Sequence, residues 1–162
     1  MSTQQNPVIP NVTLANAGDY SCVITVNGQS SDPAVTNVVI NNKPTASLLS
    51  EDTTICTGTS AHAIFQLVGA SPFSIEYTDG SNTYTAEGLM GPMDTVFLSP
   101  EAGPTDYTFS KVEDNNCERT LVSVNMTVDL HPYTSAGISG DNTLCAGESG
   151  ELTFNLTGTP PW

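Results

Sequence analysis

The stretch DTTICTGTSAHAIFQLVGASPF, residues 52–73, returns near the end of the chain as DNTLCAGESGELTFNLTGTPPW, residues 141–162. The two stretches align without gaps at a constant offset, which is 145 − 56 = 89 positions between Cys56 and Cys145. Identical pairs include Thr54/Thr143, Gly58/Gly147, Ser60/Ser149, Phe65/Phe154, Leu67/Leu156, Gly69/Gly158 and Pro72/Pro161. Recurrence at a fixed period is typical of tandem structural units, so the sequence predicts repeats of about 90 residues.

A second, weaker echo sets the limits of the repeat. TNVVINNKPT and NMTVDLHPYT both read as a last strand followed by a linker, with Pro44 facing Pro132. We therefore predict a complete module over residues 44–133. It is preceded by the C-terminal part of a similar module over residues 1–43 and followed by the N-terminal part of a further one over residues 134–162.

Hydrophobic alternation predicts the fold class. Ala63, Phe65 and Leu67 point to one side of a predicted strand, and the residues between them point to the other. Asp79-Gly80 is a turn signal, and further strands are predicted at residues 73–78, 83–86, 95–98, 106–112 and 121–129. A strand count of this kind in about 90 residues favours an all-β fold of tandem immunoglobulin-like β-sandwich modules, one complete and two partial.

The first 43 residues carry an independent signal for the same fold. NAGDYSCVITVNG places Tyr20 two residues before Cys22, ahead of an alternating strand and an Asn27-Gly28 turn. This arrangement is the tyrosine corner found at strand F of immunoglobulin-like sandwiches. We expect strand B, with the disulfide partner of Cys22, to precede residue 1.

The charge balance excludes several kinds of partner. The chain has 17 acidic and 3 basic residues, for a formal net charge of -14. Such a surface repels phosphate backbones and anionic lipid headgroups, so neither nucleic acid nor a membrane surface is expected as a partner. No apolar run approaches the ~20 residues that a membrane span requires, and membrane insertion is not expected.

The four cysteines fit neither a zinc site nor a CxxC redox pair, which favours structural disulfides in an oxidising compartment. Cys56 and Cys117 are the two cysteines of the complete module, and a bridge between them would close roughly 60 residues and stabilise the fold by about 4 kcal/mol. Immunoglobulin strand order, however, places them at opposite ends of a sandwich, beyond the ~7 Å limit for Cα atoms of a disulfide. An intramodule bridge is slightly preferred because both partners are present. The alternative is a clip from Cys56 to the next module.

Catalytic and metal-binding signals are weak. Neither His62 nor His131 belongs to an HExxH or nucleophile-elbow pattern, so we expect no enzymatic activity. No cofactor is expected, with structural calcium at module junctions as the less favoured alternative to solvated turn carboxylates, because no acidic cluster has the spacing of a calcium loop. The carboxylates considered for calcium are Glu51, Asp52, Asp79, Asp94, Glu113, Asp114 and Asp141.

Several short segments follow one another in a specific order. They are TICTG and TLCAG before a strand, LVGASPFSIEYTDG and LTGTPPW after it, and TDYTFSKVEDNNC near the end of the complete module. Together they resemble the immunoglobulin-like or PKD-like tandem repeats of very large Bacteroidota cell-surface proteins, including gliding-motility adhesins. The resemblance covers residues 45–162. It implies an extracellular, cell-surface location, export by type IX secretion, and O-glycosylation at sites such as Thr53 and Thr95.

Two functional hypotheses follow. In the first, the chain is a structural spacer of a large secreted cell-surface adhesin or filament, whose partners are neighbouring modules of the same chain. In the alternative, the complete module is a carbohydrate- or protein-binding module of a surface receptor. Its extracellular glycan or protein ligand would then contact the loops at residues 57–61, 88–92 and 115–118, with Met90 and Met93 exposed. The aromatic residues considered for a sugar-binding platform are Phe73, Tyr77, Tyr84 and Trp162. A core or inter-module role is preferred for them.

Overall fold

In a computed structural model, the described residues are 4–140, 143–158 and 160–161. Strands make up 54% of the described chain, and its one helical element is a short 3-10 helix at Leu14–Asn16, which confirms the predicted all-β class. The chain divides into two compact units, Met1–Lys43 and Pro44–Trp162. Within the described ranges, no helix has the length and apolarity needed to cross a membrane.

The described residues of the first unit form two small antiparallel sheets. Its strands are β1 (Gly18–Cys22), β2 (Thr25–Val26), β3 (Gln29–Ser30) and β4 (Ala34–Val38). β1 pairs with β4, and β2 pairs with β3. None of these strand residues is buried, so the described part of this unit has no enclosed core.

Two local predictions for this unit are confirmed. The Tyr20 hydroxyl donates a 2.7 Å hydrogen bond to the Asn16 carbonyl oxygen, which is the tyrosine-corner contact expected from the sequence. Asn27 and Gly28 join β2 to β3 with φ angles of 49° and 80°. A two-residue hairpin turn of this type requires positive φ at both positions, and Asn-Gly adopts it at low cost.

The described residues of the second unit form three sheets. Its strands are β5 (Thr45–Leu48), β6 (Thr53–Cys56), β7 (Ala61–Val68), β8 (Phe73–Thr78), β9 (Thr83–Leu89), β10 (Met93–Leu98), β11 (Thr105–Glu113), β12 (Glu118–His131), β13 (Ser135–Gly140) and β14 (Leu152–Thr157). One sheet has the order β10-β7-β5, the second has the order β6-β12-β11-β8-β9, and the third is the pair β13-β14.

The first strand region of this unit is divided between two sheets. β5 runs antiparallel to β7, and the chain then crosses to the other sheet, where β6 lies parallel to β12. Ser50 stabilises the crossing, because its hydroxyl donates to the His62 carbonyl oxygen and accepts from the Ile64 N–H, both at 2.8 Å. The segment between β5 and β6 therefore connects the three-stranded sheet to the five-stranded sheet.

One hydrophobic core lies between the three-stranded and five-stranded sheets. Phe65 on β7 and Phe109 on β11 meet edge to face with ring centroids 4.8 Å apart. The predicted alternation is confirmed, since Ala63, Phe65 and Leu67 are at most 2% exposed. The members of the core lie between Ala46 and Val128. Two sheets that share a core in this way are consistent with a β-sandwich.

A bulge in β11 adjusts which side chains reach this core. The pairing register of β11 shifts between Phe109 and Lys111 on both of its neighbours. Ser110 lies at the shift and donates a 2.8 Å hydrogen bond to Glu76 Oε1. A bulge adds one residue to a strand, so Val112 rather than Lys111 continues the buried row.

Candidate functional site

The two sheets that share the core have two ends, and the chain enters at one of them and leaves at the other. Pro44, fully buried, lies beside Gly69, so the chain enters at the end that also holds the β7–β8 and β11–β12 loops. His131 ends β12 opposite Cys56, so the chain leaves at the other end. These are called the Pro44 end and the His131 end below. Since β12 has 14 residues, the ends are separated by roughly 40 Å.

A buried carboxylate organises the Pro44 end. Asp114 is 7% exposed and accepts hydrogen bonds from the backbone N–H groups of Ala70 (2.9 Å), Asn116 (2.9 Å) and Cys117 (2.7 Å). Burial raises the pKa of this carboxyl, but the three N–H donors together outweigh burial and hold the pKa below its usual value. Asp114 thereby ties the β11–β12 loop to the β7–β8 loop.

Because Gly69 has no side chain, the Asp114 carboxylate can lie directly beside it. A Cβ at Gly69 would lie 2.5 Å from Asp114 Oδ2 and 2.9 Å from the Phe73 ring, and the φ angle of 153° also disfavours a side chain. The recurring glycine Gly158 likewise has a positive φ, 112°. The repeat therefore preserves a backbone position that only glycine fills without strain.

Cys56, at the His131 end, begins a turn, and the same turn is found at Cys145, its counterpart in the repeat. The Thr59 N–H donates to the Cys56 carbonyl oxygen, and the Glu148 N–H donates to the Cys145 carbonyl oxygen, both at 3.1 Å. The glycines in these turns, Gly58 and Gly147, have φ angles of 84° and 95°. The sequence echo at an offset of 89 is thus also an echo of backbone conformation.

The structure does not bring Cys56 and Cys117 together. All four cysteines are free. Cys117 precedes β12 at the Pro44 end, whereas Cys56 pairs with the last residue of β12 at the His131 end. A separation of roughly 40 Å far exceeds the ~7 Å limit, so the preference for an intramodule bridge is incorrect in this fold. A clip between modules stays a prediction.

Two carboxylates considered for calcium are engaged by backbone N–H groups. Asp94 accepts hydrogen bonds from Met90 and Thr95, both at 2.7 Å. Asp52 Oδ1 accepts one from Thr127, also at 2.7 Å. Asp94 therefore holds the loop before β10, and Asp52 attaches the residue before β6 to β12, so both carboxylates have a structural role.

Asp79, a third such carboxylate, closes the turn between β8 and β9. It accepts from the Asn82 N–H (2.7 Å), the Tyr84 hydroxyl (2.7 Å) and the Ser81 N–H (2.8 Å), and these donors lower its pKa to about 2. In the described ranges, no three His, Cys, Asp or Glu residues form a group that could hold a metal ion. Asp141 lies outside the described residues.

The histidines occupy separate environments. His62 contacts Phe97 edge to face, with ring centroids 5.0 Å apart on the exposed face of the three-stranded sheet. The His131 carbonyl oxygen accepts hydrogen bonds from the N–H and hydroxyl of Thr57. Among the described side chains, no buried nitrogen or oxygen lacks a hydrogen-bond partner. The interior of the described sandwich therefore holds no unpaired polar group aimed at a ligand.

The three loops of the binding hypothesis do not lie together. Residues 115–118 and 88–92 lie at the Pro44 end, where the Gly91 N–H donates to Ser71 and the Asn115 N–H to Ala70. Residues 57–61 lie at the His131 end. Met90 and Met93 are 56% and 57% exposed, as expected. A single ligand site would use at most two of these loops.

An open cleft of ≈ 330 Å³ lies where the chain crosses between the sheets. Its lining includes Glu51, Thr53, Ser60 and His62. The Ser50 hydroxyl, which also lines it, is already engaged by the backbone of β7. The Ser60 hydroxyl, also in the lining, is paired with that of Ser99.

The aromatic candidates are mainly structural. Phe73 is 2% exposed and belongs to the core. Tyr77 and Tyr84 stack on each other with centroids 5.4 Å apart, and Tyr84 is 39% exposed. Neighbouring Tyr107 is buried, and burial first, then the charge of Asp79, raises its pKa to about 12. Trp162 lies outside the described residues.

The predicted glycosylation sites lie on strands. Thr53 begins β6 and Thr95 lies in β10, and both are partly exposed. Modification of either threonine stays a prediction. Thr54, the residue after Thr53, is exposed.

A feature that the sequence alone did not indicate is the exposure of two apolar hairpin faces. Leu152 and Phe154 on β14 are 61% and 60% exposed, and Tyr20 and Val38 on the β1–β4 pair are 36% and 38% exposed. The alternating pattern could have located these faces. The pattern does not predict which apolar faces are left without an opposing sheet.

A scan against models of protein families finds no match for this chain, and a search of curated proteins finds none either.

Proposed function

We propose that the chain is a structural spacer segment of a large secreted cell-surface adhesin or filament. It would consist of tandem immunoglobulin-like β-sandwich modules, complete over residues 44–133 and partial over residues 1–43 and 134–162. The strand order supports this fold. In immunoglobulin-like sandwiches, strands C, F and G share one sheet and A, B and E the other. Here β8, β11 and β12 share one sheet, and β5, β7 and β10 share the other.

The observation that carries the proposal is the position of the chain at the two ends of the complete sandwich. The chain enters at Pro44 and leaves at His131, which lie at opposite ends of a body roughly 40 Å long. Modules joined in this way add their lengths, because each starts where the previous one ends. A structure that extends by about the same distance per repeat is suited to a spacer.

The surface chemistry agrees with this role. The acidic residues Asp52, Asp79, Asp94 and Asp114 are engaged in hydrogen bonds within the module. A formal charge of -14 keeps neighbouring copies apart in solution and favours solubility. The proposed role needs no catalysis and no cofactor, and its partners are the adjoining modules.

The extracellular location is part of the same proposal. It is supported by the resemblance to Bacteroidota surface repeats, which also suggests gliding motility and type IX secretion. An antibody raised against the chain is expected to label intact cells of the source organism before permeabilisation. Labelling that requires permeabilised cells would contradict a cell-surface spacer.

Mechanical extension tests the spacer role directly. The chain would be held by its two termini in an optical trap and stretched. The complete module is expected to open in one step, because its two sheets share one core. Roughly 90 residues at ~3.6 Å each, less roughly 40 Å for the folded body, give a length gain of roughly 280 Å. Gradual extension without such a step would contradict a cooperative load-bearing module.

The binding alternative has a separate readout. A spacer is expected to give no specific signal on a glycan array or in pull-downs with surface proteins. Specific binding that is lost on Met90→Ser, and kept in the matched exposed variant Val122→Ser, would favour the binding module instead. Met90 and Val122 are both exposed, at 56% and 80%, so neither change disturbs the core.

A further inference from the structure

The two sheets that share the core end in strands whose outer edges pair with no other strand of residues 44–133, all of which are described. β10 and β5 form the edges of the three-stranded sheet, and β6 and β9 form those of the five-stranded sheet. An unpaired edge presents backbone N–H and C=O groups to any extended strand of a second molecule. Proteins that stay monomeric therefore carry features which prevent such pairing.

Most of these edges are short or irregular. β5 and β6 have four residues each, and β5 follows directly after Pro44. In β9, Glu87 and Gly88 together oppose Ser74, and Gly88 has a φ angle of 72°. The part of β12 that extends past β6 has an irregularity of the same kind, with Ser123 at a φ angle of 57°. Short length and bulges both hinder the pairing of an edge with another strand.

β10 has neither of these features. Its six residues, Met93–Leu98, pair with β7 without a shift in register. A 2.8 Å hydrogen bond from the Leu67 N–H to the Pro92 carbonyl oxygen sets which residues of β10 face β7. In an antiparallel pair such residues alternate, so every second residue from Pro92 onward faces β7. The backbone groups that point to the free edge are those of Met93, Thr95 and Phe97.

The Asp94 carboxylate covers the middle of this free edge. Its Oδ1 accepts a hydrogen bond from the Thr95 N–H, and its Oδ2 accepts one from the Met90 N–H, both at 2.7 Å. The central donor of the edge is thus already bound. A carbonyl oxygen of an incoming strand would have to displace a charged acceptor and remove it from water, which is costly.

Apart from this carboxylate, the edge fits a second copy of itself. A two-fold axis at Thr95 places this residue opposite its own counterpart and Met93 opposite the second copy's Phe97. Met93 and Phe97 are 57% and 62% exposed, so two such cross-strand pairs would cover apolar surface in both copies. The same arrangement brings the two Asp94 residues to diagonal positions roughly 7 to 8 Å apart, where like charges repel.

We propose that Asp94 prevents the β10 edge from pairing with the β10 edge of a second copy. It does so by binding the Thr95 N–H and by placing a negative charge where the two strands would meet. The inference is independent of the proposed spacer role, because it depends only on the two sheets that share the core.

Sedimentation velocity of the 162-residue chain under reducing conditions tests the proposal. The unaltered chain is expected to remain monomeric. In Asp94→Thr, the average mass should rise towards that of a dimer as protein concentration increases. Asp106→Thr is the matched control, since it removes the same charge from an exposed residue of β11, a strand that is paired on both sides. This control should stay monomeric.

A double variant locates the association at β10. Thr95→Pro removes the central donor of the free edge, and it leaves the ladder with β7 intact because the Thr95 N–H points away from β7. Asp94→Thr combined with Thr95→Pro should therefore be monomeric. Circular dichroism verifies that each variant is folded.

Amide hydrogen exchange of the unaltered chain, followed by NMR, tests the same contact without any substitution. The amides of Met93, Thr95 and Phe97 all point to the free edge, but only that of Thr95 is bound by the Asp94 carboxylate. Exchange at Thr95 should be slower than at the other two positions. If Asp94→Thr does not fold, this measurement decides.

Three outcomes would overturn the proposal. One is a folded Asp94→Thr chain that has the same mass as the unaltered chain at every concentration. Another is a folded double variant that associates as the single variant does, which would place the contact elsewhere. The third is exchange at Thr95 as fast as at Met93 and Phe97.

Discussion

Replacing Asp114 with alanine is the sharpest test of how the Pro44 end is held together. The carboxylate accepts three backbone hydrogen bonds and is 7% exposed, so its removal leaves three N–H donors without their acceptor. Hydrogen bonds to a charged group contribute about 1.5 to 3 kcal/mol each. Asn116 is exposed and its N–H can bind water instead, while Ala70 and Cys117 are only partly exposed.

We therefore expect Asp114→Ala to lower the free energy of unfolding by about 2 to 4 kcal/mol. Urea unfolding of a domain of this size has an m-value of about 1 to 1.5 kcal/mol/M, so the midpoint should fall by roughly 2 M. Far-UV circular dichroism measures the transition.

The same carboxylate predicts a pH dependence. The folded-state pKa of Asp114 lies below the usual value of 3.8, since its backbone hydrogen bonds outweigh burial. A group with a lowered pKa contributes stability above its unfolded pKa and loses it as the pH falls through the folded pKa. The difference between the unaltered chain and Asp114→Ala should thus be full at pH 7 and shrink below about pH 4.

Asp79→Ala is the matched control. Asp79 also accepts three hydrogen bonds, but it closes a surface turn and is partly exposed, so water can take the place of the carboxylate as acceptor for the three donors. Its effect on the urea midpoint should be much smaller. Equal effects of the two substitutions, or a loss at Asp114 that does not change with pH, would refute the account of a buried, charged clasp.

Other predictions concern the core, a glycine and the thiols. Phe65→Ala should lower the free energy of unfolding by about 3 to 5 kcal/mol in urea titrations, and a change below 1 kcal/mol would contradict its central place in the core. Gly69→Ala should be more destabilising than Gly88→Ala in thermal melts, because both have positive φ but only Gly69 meets atoms within 4 Å. Reducing agent should leave the urea midpoint unchanged, whereas a loss near 4 kcal/mol on reduction would restore the bridge between Cys56 and Cys117.

The local elements could largely be predicted from the sequence. Alternation in AHAIFQLV located β7 and its buried side, because successive side chains of a strand point to opposite faces. Tyr20 and the Asn27-Gly28 turn were also predicted, since these conformations depend on a few neighbouring residues. The last strand of the complete module was less well bounded. It was predicted from residue 121 but begins at Glu118, because pairing with β11 extends it.

The candidate site depended on contacts between distant segments. Asp114 was considered as a calcium ligand, yet its role follows from the approach of Ala70, 44 positions away in the chain. No local pattern encodes that approach, since it exists only when the two sheets pack. The same holds for the cysteines, whose separation depends on the direction in which β12 runs.

The amino-acid sequence by itself thus determined the repeat, the all-β class and the inward side of β7, because these depend on spacing and on residue type. Tertiary structure alone decided which apolar faces are covered. Phe65 and Phe154 occupy the same position in the repeat, but one is 0% and the other 60% exposed. The difference arises because burial requires an opposing sheet, and a side chain cannot supply its own.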